Sequence, residues 1–248
     1  MPGPLLALEQ ISKRFGAIVV AERIDLQLKQ GEALGIIGPN GAGKTTLFGM
    51  IGGTVAPDSG RVIYAGRDIT GLPPARRCAL GIGRSFQIPQ PFAGMSVFEN
   101  LVVAAAFGGG RRERDAYDSC MAILQRCGLA EKANRLAGRL TLLDRKRLEL
   151  ARALASQPKV LLLDEVAGGL AEPECQALIA LIADIRASGV AIVWIEHVVH
   201  ALLASIDRLV VLHNGALIAD GDPHAVIRSP QVAEIYMGQI YMEKSADA

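Results

Sequence analysis

The sequence predicts an α/β protein with a parallel-sheet core, an antiparallel β subdomain and a helical sub-lobe. Short apolar runs at 33–37, 160–163 and 190–195 have the length and composition of buried parallel strands. A helical pattern at 173–187 separates the last two runs, which is the strand–helix–strand alternation of a parallel sheet. With 248 residues, the chain is long enough to bury a complete core in one large domain.

The N-terminal part is predicted to be β structure followed by one helix. Apolar residues alternate at period two within 6–8 and 24–28, as in strands with one buried face. From 44 to 51 the pattern becomes helical, and the turn residues at 57–60 lead into a short strand at 61–64. The chain therefore begins with β structure and then alternates strand, loop and helix.

The middle of the chain is predicted to be helical. Helices are expected at 97–107, 115–127 and 144–155, and a polar loop at 108–114 separates the first two. Further along the chain, Asn214-Gly215 is a strong turn signal for a β-hairpin, which precedes C-terminal helices.

Composition excludes several classes of protein. Half of the residues are apolar, 21% are charged and the net charge is +1, so the whole chain has no electrostatic preference for nucleic acid. Its apolar runs are far shorter than the roughly 20 residues that span a bilayer. The start of the sequence lacks a basic segment followed by a long apolar run, so we expect no secretory signal and a cytoplasmic location. The four cysteines lack Cys-x-x-Cys spacing, which favours reduced thiols.

A phosphate-binding loop follows the apolar run at 33–37. The segment Gly38-Pro39-Asn40-Gly41-Ala42-Gly43-Lys44-Thr45 fits G-x-x-x-x-G-K-[ST] at every fixed position and lies between a strand and a helix. We expect the loop N–H groups to surround the phosphates, Lys44 to reach the β and γ oxygens, and the Thr45 hydroxyl to coordinate Mg²⁺. This motif alone does not separate transport ATPases from nucleotide kinases, GTPases or helicases.

Charged residues follow two of the predicted parallel strands. Asp164 and Glu165 end the run at 160–163, at the strand edge where open α/β sheets bind ligands. Asp164 is predicted to hold Mg²⁺ through water, and Glu165 to orient and deprotonate the attacking water. The run at 190–195 leads into Glu196 and His197, and a histidine at this edge could hydrogen-bond the γ-phosphate.

With these elements in order, the chain resembles the ATP-binding cassette (ABC) family over essentially its whole length. The resemblance implies that Phe15 stacks on adenine, an interaction worth about 1–3 kcal/mol per base in nucleic-acid complexes. It also implies that Gln87, in Arg84-Ser85-Phe86-Gln87, touches the metal and reports the nucleotide state to a membrane subunit. We expect the cleft near Gln87 to receive a short cytoplasmic helix of that subunit.

The family signature Leu-Ser-Gly-Gly-Gln is altered in this chain. Its position is occupied by Leu140-Thr141-Leu142-Leu143-Asp144, in which Thr141 keeps a hydroxyl but both glycines are leucines. In the family, ATP lies between the phosphate loop of one subunit and the signature of the other. The bulk of Leu142 and Leu143 is expected to weaken the site containing this signature, so we hypothesise a heterodimer with unequal sites. An alternative is that the leucines point away from the nucleotide.

The single domain 1–248 is predicted to comprise a nucleotide-binding core, 1–87 and 158–248, and a helical subdomain with the signature, 88–157. The residues predicted to bind ATP are Phe15, Gly38, Pro39, Asn40, Gly41, Ala42, Gly43, Lys44, Thr45, Thr46 and Thr141. The residues predicted to hold Mg²⁺ are Thr45, Gln87 and Asp164, and the predicted catalytic residues are Lys44, Gln87, Glu165 and His197.

Within the family, the segments 86–100, 195–197 and 236–238 look like those of the branched-chain amino acid importer ATPases, and most like the larger of the two. This resemblance implies ATP hydrolysis coupled to transport, with ATP and Mg²⁺ as cofactors. The implied partners are integral membrane permease subunits, a second ATPase subunit and, indirectly, a periplasmic or extracellular solute-binding protein, without nucleic acid. The chain would then lie on the inner face of the cell membrane.

Other functions remain open at this point. ATPases of urea or other amide importers share most of the pattern. A soluble ABC ATPase of DNA repair or translation usually carries two cassettes or long coiled-coil insertions, and neither is present. A GTPase would need an Asn-Lys-x-Asp specificity segment, and a small-molecule kinase would need a lid over the phosphate acceptor. The sequence shows neither feature. An ATP-binding regulator without hydrolysis is disfavoured by Lys44, Asp164, Glu165 and His197.

Overall fold

The computed structural model describes residues 3–196 and 202–235. The strands of this part are, in chain order, β1 Leu6–Phe15, β2 Ile18–Leu28, β3 Ala33–Ile37, β4 Ser59–Tyr64, β5 Arg67–Asp68, β6 Ile82–Arg84, β7 Val160–Asp164, β8 Ala191–Ile195, β9 Arg208–His213 and β10 Ala216–Gly221. The α-helices are α1 Lys44–Gly52, α2 Pro74–Leu80, α3 Val97–Val103, α4 Glu113–Arg126, α5 Leu142–Ala155, α6 Glu172–Ala187 and α7 Pro223–Ile227.

The central sheet has six strands in the order β10-β9-β3-β8-β7-β6. The strands from β9 to β6 pair in parallel, and β10 is antiparallel to β9. All residues of β3, β7 and β8 are buried, as expected for strands that are covered on both faces. The predicted parallel-sheet core is therefore confirmed.

A second sheet has the order β2-β1-β4-β5, and all of its pairings are antiparallel. It confirms the predicted antiparallel β subdomain. Ile24, Leu26 and Leu28 are buried and alternate with exposed residues, which agrees with the period-two pattern. Phe15 is the last residue of β1.

The two faces of the parallel sheet belong to two apolar clusters. On one face, Leu162 and Val193 pack with Phe48 of α1 and with the antiparallel sheet. On the other face, Leu163 and Trp194 pack with the helices that follow. The carboxyl ends of the strands are thereby fixed from both sides, which is the edge where the predicted site residues lie.

Helices α3, α4 and α5 form the helical sub-lobe, but the first of them differs from the prediction. The expected helix over 97–107 is α-helical only to Val103, and Ala104–Gly108 form a π-helical turn. Helix α5 begins two residues earlier than predicted, because the Thr141 hydroxyl accepts the N–H of Asp144 and caps the helix.

The structure also shows the hairpin turn and the state of the cysteines. The Asn214-Gly215 turn joins β9 to β10, and both residues have positive φ, as the predicted hairpin turn requires. The four cysteines are free thiols, and Cys120, Cys127 and Cys175 are buried. None of the helices in the described ranges combines the length and hydropathy of a membrane span.

Candidate functional site

The phosphate loop joins β3 to α1 and passes close to two neighbouring backbone segments. A Cβ atom on Gly38 would lie 2.0 Å from the carbonyl oxygen of Leu212. A Cβ atom on Gly43 would lie 2.1 Å from the carbonyl oxygen of Val20, and Gly43 has a φ of 103°. Glycine is therefore required at both positions. The loop leads directly into the N-terminus of α1, whose free N–H groups form a binding site for anions.

Lys44 is the first residue of α1 and lies under the loop. Its ammonium donates hydrogen bonds to the carbonyl oxygens of Gly38 at 2.7 Å and Pro39 at 3.0 Å. Burial lowers the pKa of Lys44, while the carboxylates of Glu165 and Asp164 act in the opposite direction and favour its charged form. The loop thus has a partly desolvated cation next to its N–H groups, which suits phosphate.

A cavity opens over this loop. Its lining residues come from the loop, the start of α1, the β1–β2 hairpin and the end of β7, and they are Val20, Asn40, Gly41, Ala42, Gly43, Lys44, Thr45, Thr46 and Glu165. The fold therefore brings most of the predicted phosphate-binding residues and Glu165 around one space.

Asp164 and Glu165 have different surroundings although they are adjacent. Asp164 ends β7, is 4% exposed and pairs with Arg84, whose Nη2 lies 3.0 Å from its Oδ2. Burial raises the pKa of Asp164, and the hydrogen bond and charge of Arg84 act against this rise. Glu165 is half-buried with a φ of 47°, and its N–H donates to the carbonyl oxygen of Ile195 at 2.9 Å. A non-glycine residue in this conformation costs about 1–3 kcal/mol, which other contacts must offset.

Gln87 reaches the carboxylate pair from the end of β6. Its Nε2 donates a hydrogen bond to Oε2 of Glu165. The sequence places Gln87 three residues after Arg84, so the segment 84–87 contacts Asp164 with one side chain and Glu165 with another. Gln87, Lys44, Asp164 and Glu165 therefore lie close to one another.

Phe15 and Thr141, which are predicted to bind ATP, are not among the residues of the described ranges that line the cavity. Phe15 is 52% exposed at the tip of the β1–β2 hairpin, and its ring centroid lies 5.3 Å from Nζ of Lys13. The same hairpin contributes Val20 to the cavity. Thr141 caps α5 and is not among the described residues that line the cavity. His197 lies outside the described residues.

Thr141 and Leu142 of the altered signature are exposed, whereas Leu140 and Asp144 are buried. Leu142 is 44% exposed in the first turn of α5, and its Cδ2 would lie 3.4 Å from a Cβ on Gly169, in the loop after the carboxylates. Asp144 is buried and accepts a hydrogen bond from Nζ of Lys132 at 2.5 Å. The acid that replaces the family glutamine therefore has a basic partner within the same chain.

Sequence reasoning missed three charged residues near the carboxylate pair. The sequence pattern assigns Arg84 no role of its own. Glu196 is 2% exposed and accepts the N–H of Ala167 at 2.7 Å, which fixes the loop after Glu165. Lys146 of α5 is 4% exposed; burial lowers its pKa, while Glu196 and Glu165 raise it. A charged residue directly after a buried strand was the available signal for Glu196, but the other two depend on tertiary packing.

The oxygen donors near the loop match the chemistry of Mg²⁺. Within the described ranges, no group of three or more His, Cys, Asp or Glu side chains is placed to hold a metal ion by itself. The hydroxyl of Thr45, the carboxylate of Asp164 and the amide oxygen of Gln87 are hard donors. Mg²⁺ commonly takes one or two protein carboxylates together with water and substrate phosphates, so this sparse donor set fits an ion that arrives with a nucleotide.

An apolar surface lies beside the carboxylate pair, where the core meets the helical sub-lobe. Phe86, Ile88 and Phe92 are 46%, 70% and 47% exposed. The segment is anchored on α5, because the N–H of Gln90 donates to Glu149 at 2.6 Å and the guanidinium carbon of Arg152 lies 5.1 Å from the ring centroid of Phe92. Exposed aromatic residues on an anchored segment are typical of a contact surface for another protein.

Sequence comparisons identify relatives over almost the full chain. A model of the ABC transporter family matches residues 21–168, which is more than half of the chain. The high-affinity branched-chain amino acid transport ATP-binding protein LivG of Salmonella typhimurium is 36% identical over 254 residues, covering 96% of this chain and 100% of LivG. BraF of Pseudomonas aeruginosa, a protein described in the same words, is 35% identical with the same coverage.

Solved structures agree in fold. An ATP-binding cassette of an ABC transporter in its ADP conformation has a TM-score of 0.88 and 33% identity, covering 95% of this chain and 99% of that one. A nucleotide-free ATP-binding cassette has a TM-score of 0.86 and 32% identity, covering 94% and 98%.

Proposed function

The chain belongs to the ABC transporter family, and we propose that it is the ATP-hydrolysing subunit of an importer for branched-chain or related amino acids. The observation that carries this proposal is the meeting of Lys44 and Glu165 in one cavity, with Asp164 directly before Glu165. This arrangement provides a phosphate site and a general base at the same sheet edge. The relatives' shared description supplies the class of solute.

The side chains divide the work of phosphoryl transfer. The loop N–H groups and Lys44 bind the phosphates, and Phe15 stacks on the adenine. Thr45, Asp164 and Gln87 would hold Mg²⁺, which neutralises charge on the transferred phosphoryl group when it is bound. Glu165 orients water and accepts its proton, and the hydrogen bond from Gln87 fixes the position of its carboxylate.

The altered signature supports pairing with a second, different ATPase subunit. Leu142 is exposed in the first turn of α5, where it adds apolar bulk to the surface that would face the partner's nucleotide. A homodimer would carry this defect in both sites. In a heterodimer whose partner has an ordinary signature, the phosphate loop of this chain faces an intact signature and forms the stronger hydrolytic site.

The membrane partner docks on the apolar surface of Phe86, Ile88 and Phe92. Two residues of this surface, Phe86 and Ile88, flank Gln87 in the sequence, so a permease helix seated there would contact the segment that touches Glu165. The chain then acts on the inner face of the cell membrane, and the solute-binding protein contacts only the permease on the opposite side. Nucleic acid has no role in this scheme.

Two substitutions test the proposal. Glu165→Gln should keep ATP binding and trap a closed dimer, and it should lower hydrolysis by the assembled transporter by about 10²-fold or more, because the general base is lost. Lys44→Ala should weaken binding as well, which a fluorescent ATP analogue would report on the purified chain. The matched control is Glu131→Gln, an exposed glutamate of the helical sub-lobe.

Hydrolysis at the wild-type rate by Glu165→Gln would contradict the catalytic assignment. The solute is tested separately, by comparing uptake of radiolabelled leucine and urea into vesicles that contain the assembled transporter. We expect ATP-dependent leucine uptake, and uptake of urea alone would overturn the assigned solute class.

A further inference from the structure

Arg84 and Asp164 end neighbouring parallel strands and form an ion pair at the ligand-binding edge of the sheet. Nη2 of Arg84 lies 3.0 Å from Oδ2 of Asp164, and the two side chains are 15% and 6% exposed. The backbones of β6 and β7 are paired next to this ion pair. Arg84 is in register with Leu162, and the N–H of Ser85 donates to the Leu162 carbonyl oxygen at 2.9 Å. The pair is therefore shielded and built on rigid elements.

The guanidinium is held from more than one side. Its central carbon lies 5.2 Å from the ring centroid of Phe86 and 5.9 Å from that of Phe48, which belongs to the helix that begins at the phosphate loop. Among the described residues, its Nε is buried without a hydrogen-bond partner. An unpaired buried N–H is costly, so the fold accepts a penalty to keep this arginine here.

We propose that Arg84 is a positioning residue for the magnesium site. By donating to Oδ2, it fixes the orientation of the Asp164 carboxylate and leaves Oδ1 for the hydration shell of the ion that enters with ATP. The inference rests on the proposed role of Asp164 toward Mg²⁺. Second-shell partners of this kind are worth about 10–100-fold in metal affinity in other metal sites.

A competing account predicts the opposite change in the Mg²⁺ concentration that the variant needs. If Arg84 merely occupied the carboxylate in place of the ion, its removal would free Asp164 and lower the Mg²⁺ concentration that is needed. The geometry favours positioning, because Arg84 engages one carboxylate oxygen and is itself fixed by Phe86 and Phe48. The contact is also separate from that of Gln87, which donates to Glu165.

The experiment measures the Mg²⁺ concentration at which the purified full-length chain shows half of its metal-induced gain in affinity for a fluorescent ATP analogue. Arg84→Met removes the charge and the donors but keeps an apolar side chain between the rings, and it should raise that concentration by about tenfold. Arg84→Lys keeps a positive charge without the planar fork, and it should give an intermediate value.

Two further variants make the outcome unambiguous. Arg208→Met removes an arginine of similar burial whose 2.7 Å ion pair with Glu32 lies at the opposite edge of the sheet, and it should leave the concentration unchanged. Asp164→Asn should abolish the Mg²⁺ response, and a normal response in this variant would overturn the proposed metal site. An unchanged or lower concentration in both Arg84 variants, with the Asp164→Asn response lost, would overturn the role of Arg84 alone.

Discussion

Arg77 makes the hydrogen bonds whose removal should destabilise the nucleotide-binding core most clearly. It lies on α2, is 1% exposed and donates to four backbone carbonyl oxygens. Nη1 donates to Met50 and Ile51 at 2.6 and 2.8 Å, Nη2 to Thr70 at 2.8 Å, and Nε to Leu72 at 2.9 Å. Two of these carbonyls belong to the last turn of α1, so Arg77 caps the C-terminal end of the phosphate-binding helix with a positive charge.

The size of the effect follows from these contacts. Arg77→Met would leave the four carbonyls without this donor, and each hydrogen bond from a charged group is worth about 1.5–3 kcal/mol. The sum of the four hydrogen-bond energies overestimates the loss. Burial disfavours the charged guanidinium and lowers the pKa of Arg77, and the methionine variant has no such desolvation cost. We therefore expect a loss of about 3–5 kcal/mol in the free energy of unfolding, and a fall in Tm of about 10 °C.

Urea and thermal denaturation of the purified chain measure this loss directly. The matched control is Arg76→Met, the same change one residue earlier on the same helix, at an exposed position. It should alter the free energy of unfolding by less than about 0.5 kcal/mol. A difference below about 1 kcal/mol between the two variants would refute the assignment of Arg77 as the cap of α1.

The remaining predictions concern adenine stacking, permease docking and one buried thiol. Phe15→Ala should weaken ATP binding by about tenfold and Phe15→Trp should preserve it, as measured with a fluorescent ATP analogue. Phe92→Asp should abolish solute uptake by the assembled transporter while ATP binding by the purified chain persists. Burial raises the pKa of Cys127 from 9.0 to about 12, so its stabilisation is complete below pH 9.0 and lost toward pH 12. Cys127→Ala should flatten the fall in unfolding free energy above about pH 9, measured by urea denaturation.

The phosphate loop was predictable from sequence because its chemistry depends on local order. The backbone cradle, the cation and the helix N-terminus are supplied by eight consecutive residues, from Gly38 to Thr45. The carboxylates at 164 and 165 were predictable for a similar reason, since a fully apolar strand that ends in acids places them at a known edge of the sheet.

The missed contacts depend on packing between distant segments. Arg84 lies 80 positions from Asp164, and β6 has only three residues, which is too short to show a strand period. Lys146 reads as one basic residue on a charged helix face, but the fold buries it near Glu165 and Glu196. Burial of a charge with its partners is a tertiary property, so no local pattern reveals it.

The predicted end of the first helix in the sub-lobe was wrong because the backbone changes its hydrogen-bond pattern there. The residues 97–107 have helical periodicity throughout, but after Val103 the chain changes to a π-helical turn that ends near Gly109 and Gly110. Side-chain pattern does not separate these two hydrogen-bond registers here, because the π-helical segment is only five residues long, too short to show a period of its own.

The central claim is that this chain supplies the stronger hydrolytic site of a pair with unequal signatures. The direct measurement is the ATPase rate of the assembled transporter when the catalytic glutamate is replaced by glutamine in one subunit at a time. Glu165→Gln in this chain should remove most of the activity, and the equivalent change in the partner should remove much less. Equal losses from the two substitutions, or full activity from a purified homodimer of this chain, would contradict the claim.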